Sequence, residues 1–290
     1  MTEEKRKQTV ASWHLRANAY ENLINHYRIF TDMAMGLIEF VEKHKTNDLH
    51  IIDLAAGTGL VSKLLIEHVH LSPASLCLIE PAEQMCEHAR QKFPNAHICQ
   101  IAAEDCLERV DLPRDYFDFI LCNASMHLMS EKDIYPIVAK LLKVKRGYFL
   151  YTLWYHSFDE TINYDQDNEF ESYVNRVLTE FNYPKLFPEN HSSPSSKSVR
   201  SRRDLERIAY ENGLELQSCT IHIHQIPMSF DFDFMLMSPN WLIDHLKTYE
   251  WTQTEDIQIL KQRIIQRIRE LIQDKYTEKA IVQVIVWRVR

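Results

Sequence analysis

The stretch that decides the fold lies at residues 51–60 and reads Ile51-Ile52-Asp53-Leu54-Ala55-Ala56-Gly57-Thr58-Gly59-Leu60. The apolar, β-branched run that ends near Asp53 predicts a buried strand, and apolar residues at helical spacing follow Gly59. The 290 residues include only five glycines, so two glycines within three positions mark a turn that needs backbone freedom or the close approach of a ligand. A strand, a glycine turn and a helix in this order predict an open α/β sheet with a ligand site at the carboxyl end of the strand.

A second acidic residue follows the next predicted strand, at the spacing typical of nucleoside sites. Glu80 ends the apolar run 75–79 and lies 21 positions after Gly59. An acid about 20 residues beyond the glycine turn reaches the ribose in βαβ nucleotide sites, where its carboxylate accepts hydrogen bonds from both hydroxyls. We therefore expect Asp53 and Glu80 at the tips of adjacent parallel strands, around an adenosine.

Two nucleoside cofactors fit this pattern. A nicotinamide dinucleotide favours G-x-G-x-x-G, but Ser62 stands in the place of the third glycine, and the carboxylate of Asp53 repels a pyrophosphate. S-adenosylmethionine offers an adenosine for Glu80, a positively charged sulfonium and no phosphate. Electrostatics therefore favour S-adenosylmethionine, and a nucleotide-dependent oxidoreductase is the weaker alternative.

At these motifs the sequence resembles the class I S-adenosylmethionine-dependent methyltransferases, over about residues 46–155. The family's first motif is matched by 53–59, with Ala55 at its first glycine, a substitution that we expect to be tolerated at a negative φ. Four further segments match in order and spacing: Glu80–Arg90, Ile101–Leu107, Tyr116–Leu128 and Gly147–Trp154.

The resemblance implies a set of site residues. Cofactor contacts are expected at Asp53, Ala55, Gly57, Gly59, Glu80, Pro81, Met85, Ala103, Glu104, Asp105 and Asn123. Tyr20, Trp154 and Tyr155 are expected to line the substrate side, with core packing as the alternative for Tyr20. His127 and His156 are the candidates for a general base, which methyl transfer needs only when the acceptor must lose a proton. No metal is expected.

The predicted architecture is a Rossmann-like, doubly wound α/β fold with a seven-stranded, mostly parallel sheet. Residues 1–45 would form a helical N-terminal cover and 46–155 the S-adenosylmethionine-binding core. Residues 156–200 are expected to be an insertion that roofs the substrate. Residues 201–290 would complete the core sheet, with a helical insertion at 229–277 whose apolar residues recur at steps of three and four.

The composition and charge of the chain limit the classes of partner that we expect it to bind. The net charge of −8 disfavours nucleic acid, no run approaches the ~18 apolar residues of a membrane span, and the N-terminus lacks the apolar core of a signal peptide. Six scattered cysteines without a C-x-x-C pair argue against disulfides and a zinc framework, and they favour the cytoplasm. We expect a small, largely apolar methyl acceptor; the alternatives are methylation of RNA or protein, or S-adenosylmethionine binding without catalysis.

Overall fold

A computed structural model describes residues 3–154, 169–187, 202–238, 240–248 and 256–290, with the backbone alone at 154 and 277–281. The strands are β1 (Ile51–Leu54), β2 (Leu76–Ile79), β3 (His97–Cys99), β4 (Phe119–Cys122), β5 (Tyr148–Trp154), β6 (Leu214–Pro227) and β7 (Tyr276–Val289). The helices are α1 (Glu3–His26), α2 (Ile29–His44), α3 (Leu60–Leu64), α4 (Glu83–Lys92), α5 (Cys106–Arg109), α6 (Glu131–Leu141), α7 (Glu169–Glu180), α8 (Arg202–Glu211), α9 (Met228–Leu236), α10 (Ile243–Lys247) and α11 (Ile257–Ile272).

The seven strands form one sheet in the order β3-β2-β1-β4-β5-β7-β6. Strands β3, β2, β1, β4 and β5 run parallel, and β7 pairs with β5 in the antiparallel direction. Because β1 pairs with β2 on one side and with β4 on the other, the strand order reverses at β1. In open α/β sheets, ligands bind outside the carboxyl ends of the strands at this switch point, so the topology places the candidate site after β1, β2 and β4. The predicted fold class is confirmed.

Apolar clusters cover both faces of the sheet. On one face Ile52, Ile120 and Phe149 pack with residues of α6 and α8. On the other face Ile51 and Leu121 pack with residues of α2 and α3. Strands β1, β2 and β4 are buried at every position, as expected for central parallel strands with helices on both sides.

A second compact unit comprises residues 164–198 and 224–280, whereas 1–163, 199–223 and 281–290 form the first. In the second unit α7, α9, α10 and α11 share an apolar cluster. Helix α11 buries Leu260, Ile264, Ile268 and Ile272 at steps of four, which is the helical periodicity of the sequence. The substrate-roof role of 156–200 and 229–277 stays a prediction, and 155–168 and 188–201 lie outside the described residues.

Candidate active site

The glycine turn after β1 is built from residues with positive φ. The φ angles are +54° at Ala55, +55° at Gly57 and +87° at Gly59. Ala55 does not meet the condition of a negative φ under which we expect an alanine to be tolerated: it occupies the left-handed conformation of the glycine that it replaces, at a steric cost of about 1–2 kcal/mol. The turn is joined to the neighbouring strand by the Ala56 N–H, which donates to the Ile79 carbonyl at 3.1 Å.

The two glycines have different neighbours. A Cβ on Gly57 would lie 3.7 Å from Cε1 of Tyr20, at ordinary contact distance. A Cβ on Gly59 would lie 2.5 Å from Cε2 of Phe93, so the space beside Gly59 is filled by a ring of the apolar core. Gly59 therefore leaves room for the Phe93 ring to pack against the turn, and contact of either glycine with the cofactor stays a prediction.

Glu80 is held at the end of β2 by two backbone amides. Its Oε2 accepts from the Gly57 N–H and its Oε1 from the Ala82 N–H, both at 2.9 Å. Burial raises the pKa of this carboxyl, while the two amides oppose the rise. Since a carboxylate oxygen has two lone pairs, each oxygen keeps one acceptor position after its amide bond. This is the arrangement that a vicinal diol requires.

Asp53, at the end of β1, has one satisfied and one unsatisfied oxygen. Its Oδ2 accepts from both the N–H (3.0 Å) and the hydroxyl (2.7 Å) of Ser62, near the start of α3. Its Oδ1 is buried without a hydrogen-bond partner among the described residues. Burial raises the pKa of Asp53 to about 7, a rise that the Ser62 hydrogen bonds oppose and the charge of Glu80 increases. An unpaired buried carboxylate oxygen is costly, so Asp53 fits a cationic group supplied by a ligand.

Helix α1 packs against the glycine turn and α4. Lys92 donates to the carboxylate of Glu21 at 2.8 Å and to the Thr58 carbonyl at 3.0 Å, which ties α1 to the turn through α4. Met85 is buried against Ala17, in an apolar cluster that Trp13 and Tyr20 also contact. The aromatic ring predicted for the substrate side, Tyr20, thus lies beside the turn of the predicted cofactor site.

The phenol of Tyr20 interacts electrostatically with the carboxylates of Glu80 and Asp53. Burial, followed by the charges of Glu80 and Asp53, raises the pKa of its phenol far above the usual value. The hydroxyl therefore stays protonated and is available as a donor.

Three of the predicted cofactor contacts, Ala103, Glu104 and Asp105, lie in a tight turn after β3. Ala103 is buried, and the side chains of Glu104 and Asp105 meet Arg6 of α1, with 3.1 Å between Arg6 Nη1 and Asp105 Oδ1. A cleft of about 470 Å³ opens here, lined by residues of α1 together with Pro81, Gln100 and Ala102. Helix α1 thus contributes to the walls beside the turn.

At the end of β4, Asn123 is fixed by two polar contacts. Its Oδ1 accepts from the Thr152 hydroxyl at 2.7 Å, and its Nδ2 donates to the Phe30 carbonyl at 3.2 Å. His127 follows in a short 3₁₀ turn with an exposed side chain. The backbone of Trp154 ends β5, while its side chain, Tyr155 and His156 lie outside the described residues.

Three supporting residues were missed from the sequence. Ser62 occupies the position of the third glycine of the dinucleotide motif, and in the sequence it indicated only that this glycine is absent. In the structure its hydroxyl donates a hydrogen bond to Asp53. Thr152 and Lys92 had no sequence signal, because their partners lie 29 and 71 positions away.

Comparison with known proteins agrees with this geometry. Residues 51–146 match a family model described as a methyltransferase domain. Over 122 residues the chain is 26% identical to the malonyl-[acyl-carrier protein] O-methyltransferase of Acetivibrio thermocellus. That match spans 42% of this chain and 41% of the relative, about two fifths of its length.

Two solved structures share the fold. A SAM-dependent methyltransferase from Leishmania major superposes with a TM-score of 0.53 at 13% identity, covering 98% of this chain and 83% of the other. The YcgJ protein of Bacillus subtilis superposes with a TM-score of 0.50 at 18% identity, covering 89% and 97%.

The switch-point turn, the two strand-end acids and the family match together define a methyltransferase domain of the Rossmann-like class. Residues 51–146 therefore form a methyltransferase domain that resembles the class I S-adenosylmethionine-dependent methyltransferases, with S-adenosylmethionine as the cofactor of this domain. The site residues fit that cofactor on two independent observations: the free acceptor positions of Glu80 and the unpaired buried oxygen of Asp53.

Proposed function

We propose that this chain transfers the methyl group of S-adenosylmethionine to an oxygen, nitrogen or carbon atom of a small, largely apolar metabolite. The observation that carries the proposal is the Glu80 carboxylate, held by the amides of Gly57 and Ala82 with one acceptor position left on each oxygen. A ribose diol matches these two positions.

The roles of the residues follow from charge and position. S-adenosylmethionine supplies a methyl group on a positively charged sulfur. Glu80 accepts from the ribose, and the unpaired oxygen of Asp53 faces a cationic group of the cofactor. Ser62 and the two amides hold these acids in place before binding, so little free energy is spent on ordering them.

On the acceptor side, the enzyme mainly needs to hold the reacting atom about 3–3.5 Å from the methyl carbon, on the line of displacement. His127 and His156 are the proposed bases for an acceptor that must lose a proton, and Trp154 and Tyr155 the proposed walls. A base contributes typically ~10²–10⁴-fold, so His127→Ala should lower kcat by about that factor if His127 has this role.

The charge of the chain favours a small acceptor over a nucleic acid. The chain has a net charge of −8, which opposes binding to a nucleic-acid backbone. Among the described residues, no helix is both long and apolar enough to cross a membrane.

The experiment is an incubation with S-adenosylmethionine labelled on its methyl group. The purified chain is added separately to small-molecule, protein and RNA fractions of a cell extract, beside a Glu80→Gln control. Label transfer to a small molecule that the control abolishes supports the proposal. Label in RNA or protein shows a macromolecular acceptor, and cofactor binding with no transfer in any fraction shows a non-catalytic binding protein; either result overturns the proposal.

A further inference from the structure

A cluster of sulfur and nitrogen atoms lies on the edge of the sheet, outside the cofactor site. Cys77 is on β2, and His97 and Cys99 are on β3, which is the edge strand. In the parallel pairing Cys77 is opposite His97, and Cys99 lies two residues further along the same strand. Side chains two apart on a strand share one face. The three side chains therefore point to the same side of the sheet.

Their possible ligand atoms are close together. The two Sγ atoms and a ring nitrogen of His97 all lie within 4.8 Å of one another. In a tetrahedral zinc site, metal–ligand distances of about 2.0–2.3 Å place neighbouring ligand atoms about 3.4–3.8 Å apart. The limit of 4.8 Å exceeds this spacing by about 1 Å, which is the approach that coordination requires of the side chains.

From this arrangement we propose that Cys77, His97 and Cys99 form a binding site for a thiophilic divalent cation such as Zn²⁺. Two thiolates and one imidazole are ligands that zinc prefers. Binding of one cation displaces the two thiol protons into solvent. His97 is exposed while the two cysteines are buried, so the cation has an entry path and a fourth position for water on the solvent side.

The cysteine spacing hides this site in the sequence. Cys77 and Cys99 are separated by helix α4 and two loops, so no C-x-x-C pair marks them, and the sequence predicted no zinc framework. The parallel pairing of β2 with β3 brings them together.

The proposed site is joined to the ribose-binding acid through the backbone. The Cys99 carbonyl accepts from the N–H of Glu80 at 3.1 Å, and the Ile101 N–H donates to the Glu80 carbonyl at 3.2 Å. A cation that holds β2 and β3 together would therefore also fix the backbone of Glu80.

The test is a titration of the reduced, metal-free chain, without a histidine tag, with Co²⁺ and then Zn²⁺. Cobalt bound by thiolates gives a charge-transfer absorption in the near ultraviolet, which Zn²⁺ then removes by displacement. We expect saturation at one cation per chain. His97→Ala and Cys99→Ser should each weaken cobalt binding by about tenfold or more. Because His97 is exposed, its replacement by alanine should leave the fold intact.

Two matched controls accompany these variants. His68→Ala removes an exposed imidazole and Cys122→Ser a buried thiol on β4, both outside the cluster. Both controls should bind cobalt as the unmodified chain does. Absence of the thiolate band, or a band of equal strength and affinity in His97→Ala and His68→Ala, would overturn the proposal. Methyltransferase activity is not part of the readout, so failure of the metal site leaves the proposed function standing.

Discussion

The carboxylate of Glu80 accepts a hydrogen bond from the Gly57 amide at 2.9 Å, across 23 positions of the chain. This contact joins the glycine turn after β1 to the acid after β2. It couples the orientation of the acid to the conformation of the turn, so neither is positioned independently. The two elements that were matched separately in the sequence form one structural unit.

Cofactor affinity should rise with pH because of Asp53. Burial raises the pKa of Asp53 to about 7, so its carboxyl is mostly neutral near pH 6 and mostly ionised near pH 8. Only the ionised form attracts a cation, and affinity for S-adenosylmethionine should increase across that interval and then level off. Calorimetric titrations at several pH values measure the affinity for S-adenosylmethionine across this interval.

Asp53→Asn is the matched variant, since an amide oxygen still accepts from Ser62 but carries no charge. Its affinity should be lower and its pH dependence reduced, with any remaining slope due to Glu80, whose pKa burial also raises. If the affinity for S-adenosylmethionine rose equally steeply with pH in Asp53→Asn and in the unmodified chain, Asp53 would not be the cause of the pH dependence.

Gly59→Ala should destabilise the fold by about 2–5 kcal/mol. The φ of +87° costs an alanine about 1–2 kcal/mol, and its Cβ would lie 2.5 Å from the ring of Phe93, which adds an overpacking cost of about 1–3 kcal/mol. Gly213→Ala is the control, because Gly213 also has a positive φ but a Cβ at this position would meet no atom of the described residues within 4 Å. Denaturant unfolding measures the free energy of unfolding of both variants, and the difference between them isolates the contact with Phe93. If Gly59→Ala and Gly213→Ala lowered this free energy equally, the contact would be unimportant for stability.

Lys92→Met should loosen α1. The Lys92 ammonium pairs with Glu21 at 2.7 Å and also binds the Thr58 carbonyl, and the side chains of Lys92 and Glu21 are 30% and 18% exposed. Loss of this partly buried pair should lower the hydrogen-exchange protection of residues 3–26 and speed cofactor release by about 3–10-fold, corresponding to about 1 kcal/mol. Stopped-flow dissociation and hydrogen exchange measure the two effects.

Lys63→Met provides the comparison, because Lys63 forms an exposed pair with Glu67 within one helical stretch at 3.9 Å. It should leave both readouts unchanged. If the two variants behaved alike, Lys92 would have no special part in holding α1.

The sequence predicted the features that depend on local pattern. Glycines in a chain with very few of them marked the turn, and two acids at strand ends marked the positions of Asp53 and Glu80, which the parallel pairing of β1 with β2 brings together. Regular apolar spacing predicted α11. These signals are contained in short segments, and the backbone periodicities of strands and helices translate them directly into structure.

What the sequence could not predict depends on neighbours that are distant in the chain. The positive φ of Ala55 is imposed by the turn around it and contradicts the preference of an alanine. The contact of Lys92 with Glu21 and the cluster of Cys77 with His97 arise only when strands and helices are assembled. No local rule of spacing reports such pairs.

The most direct test of the central claim is calorimetry of cofactor binding. S-adenosylmethionine, or its demethylated product, should bind at one site per chain in the micromolar range, whereas NAD should show no comparable binding. Glu80→Gln should weaken the affinity by about 10–100-fold, because it removes a charged acceptor and turns an amide N–H₂ toward the N–H of Gly57 or Ala82.

Glu87→Gln, an exposed change on α4, the helix that follows Glu80, should bind as the unmodified chain does. Tight binding of NAD, or equal affinities of Glu80→Gln and Glu87→Gln for S-adenosylmethionine, would contradict the account.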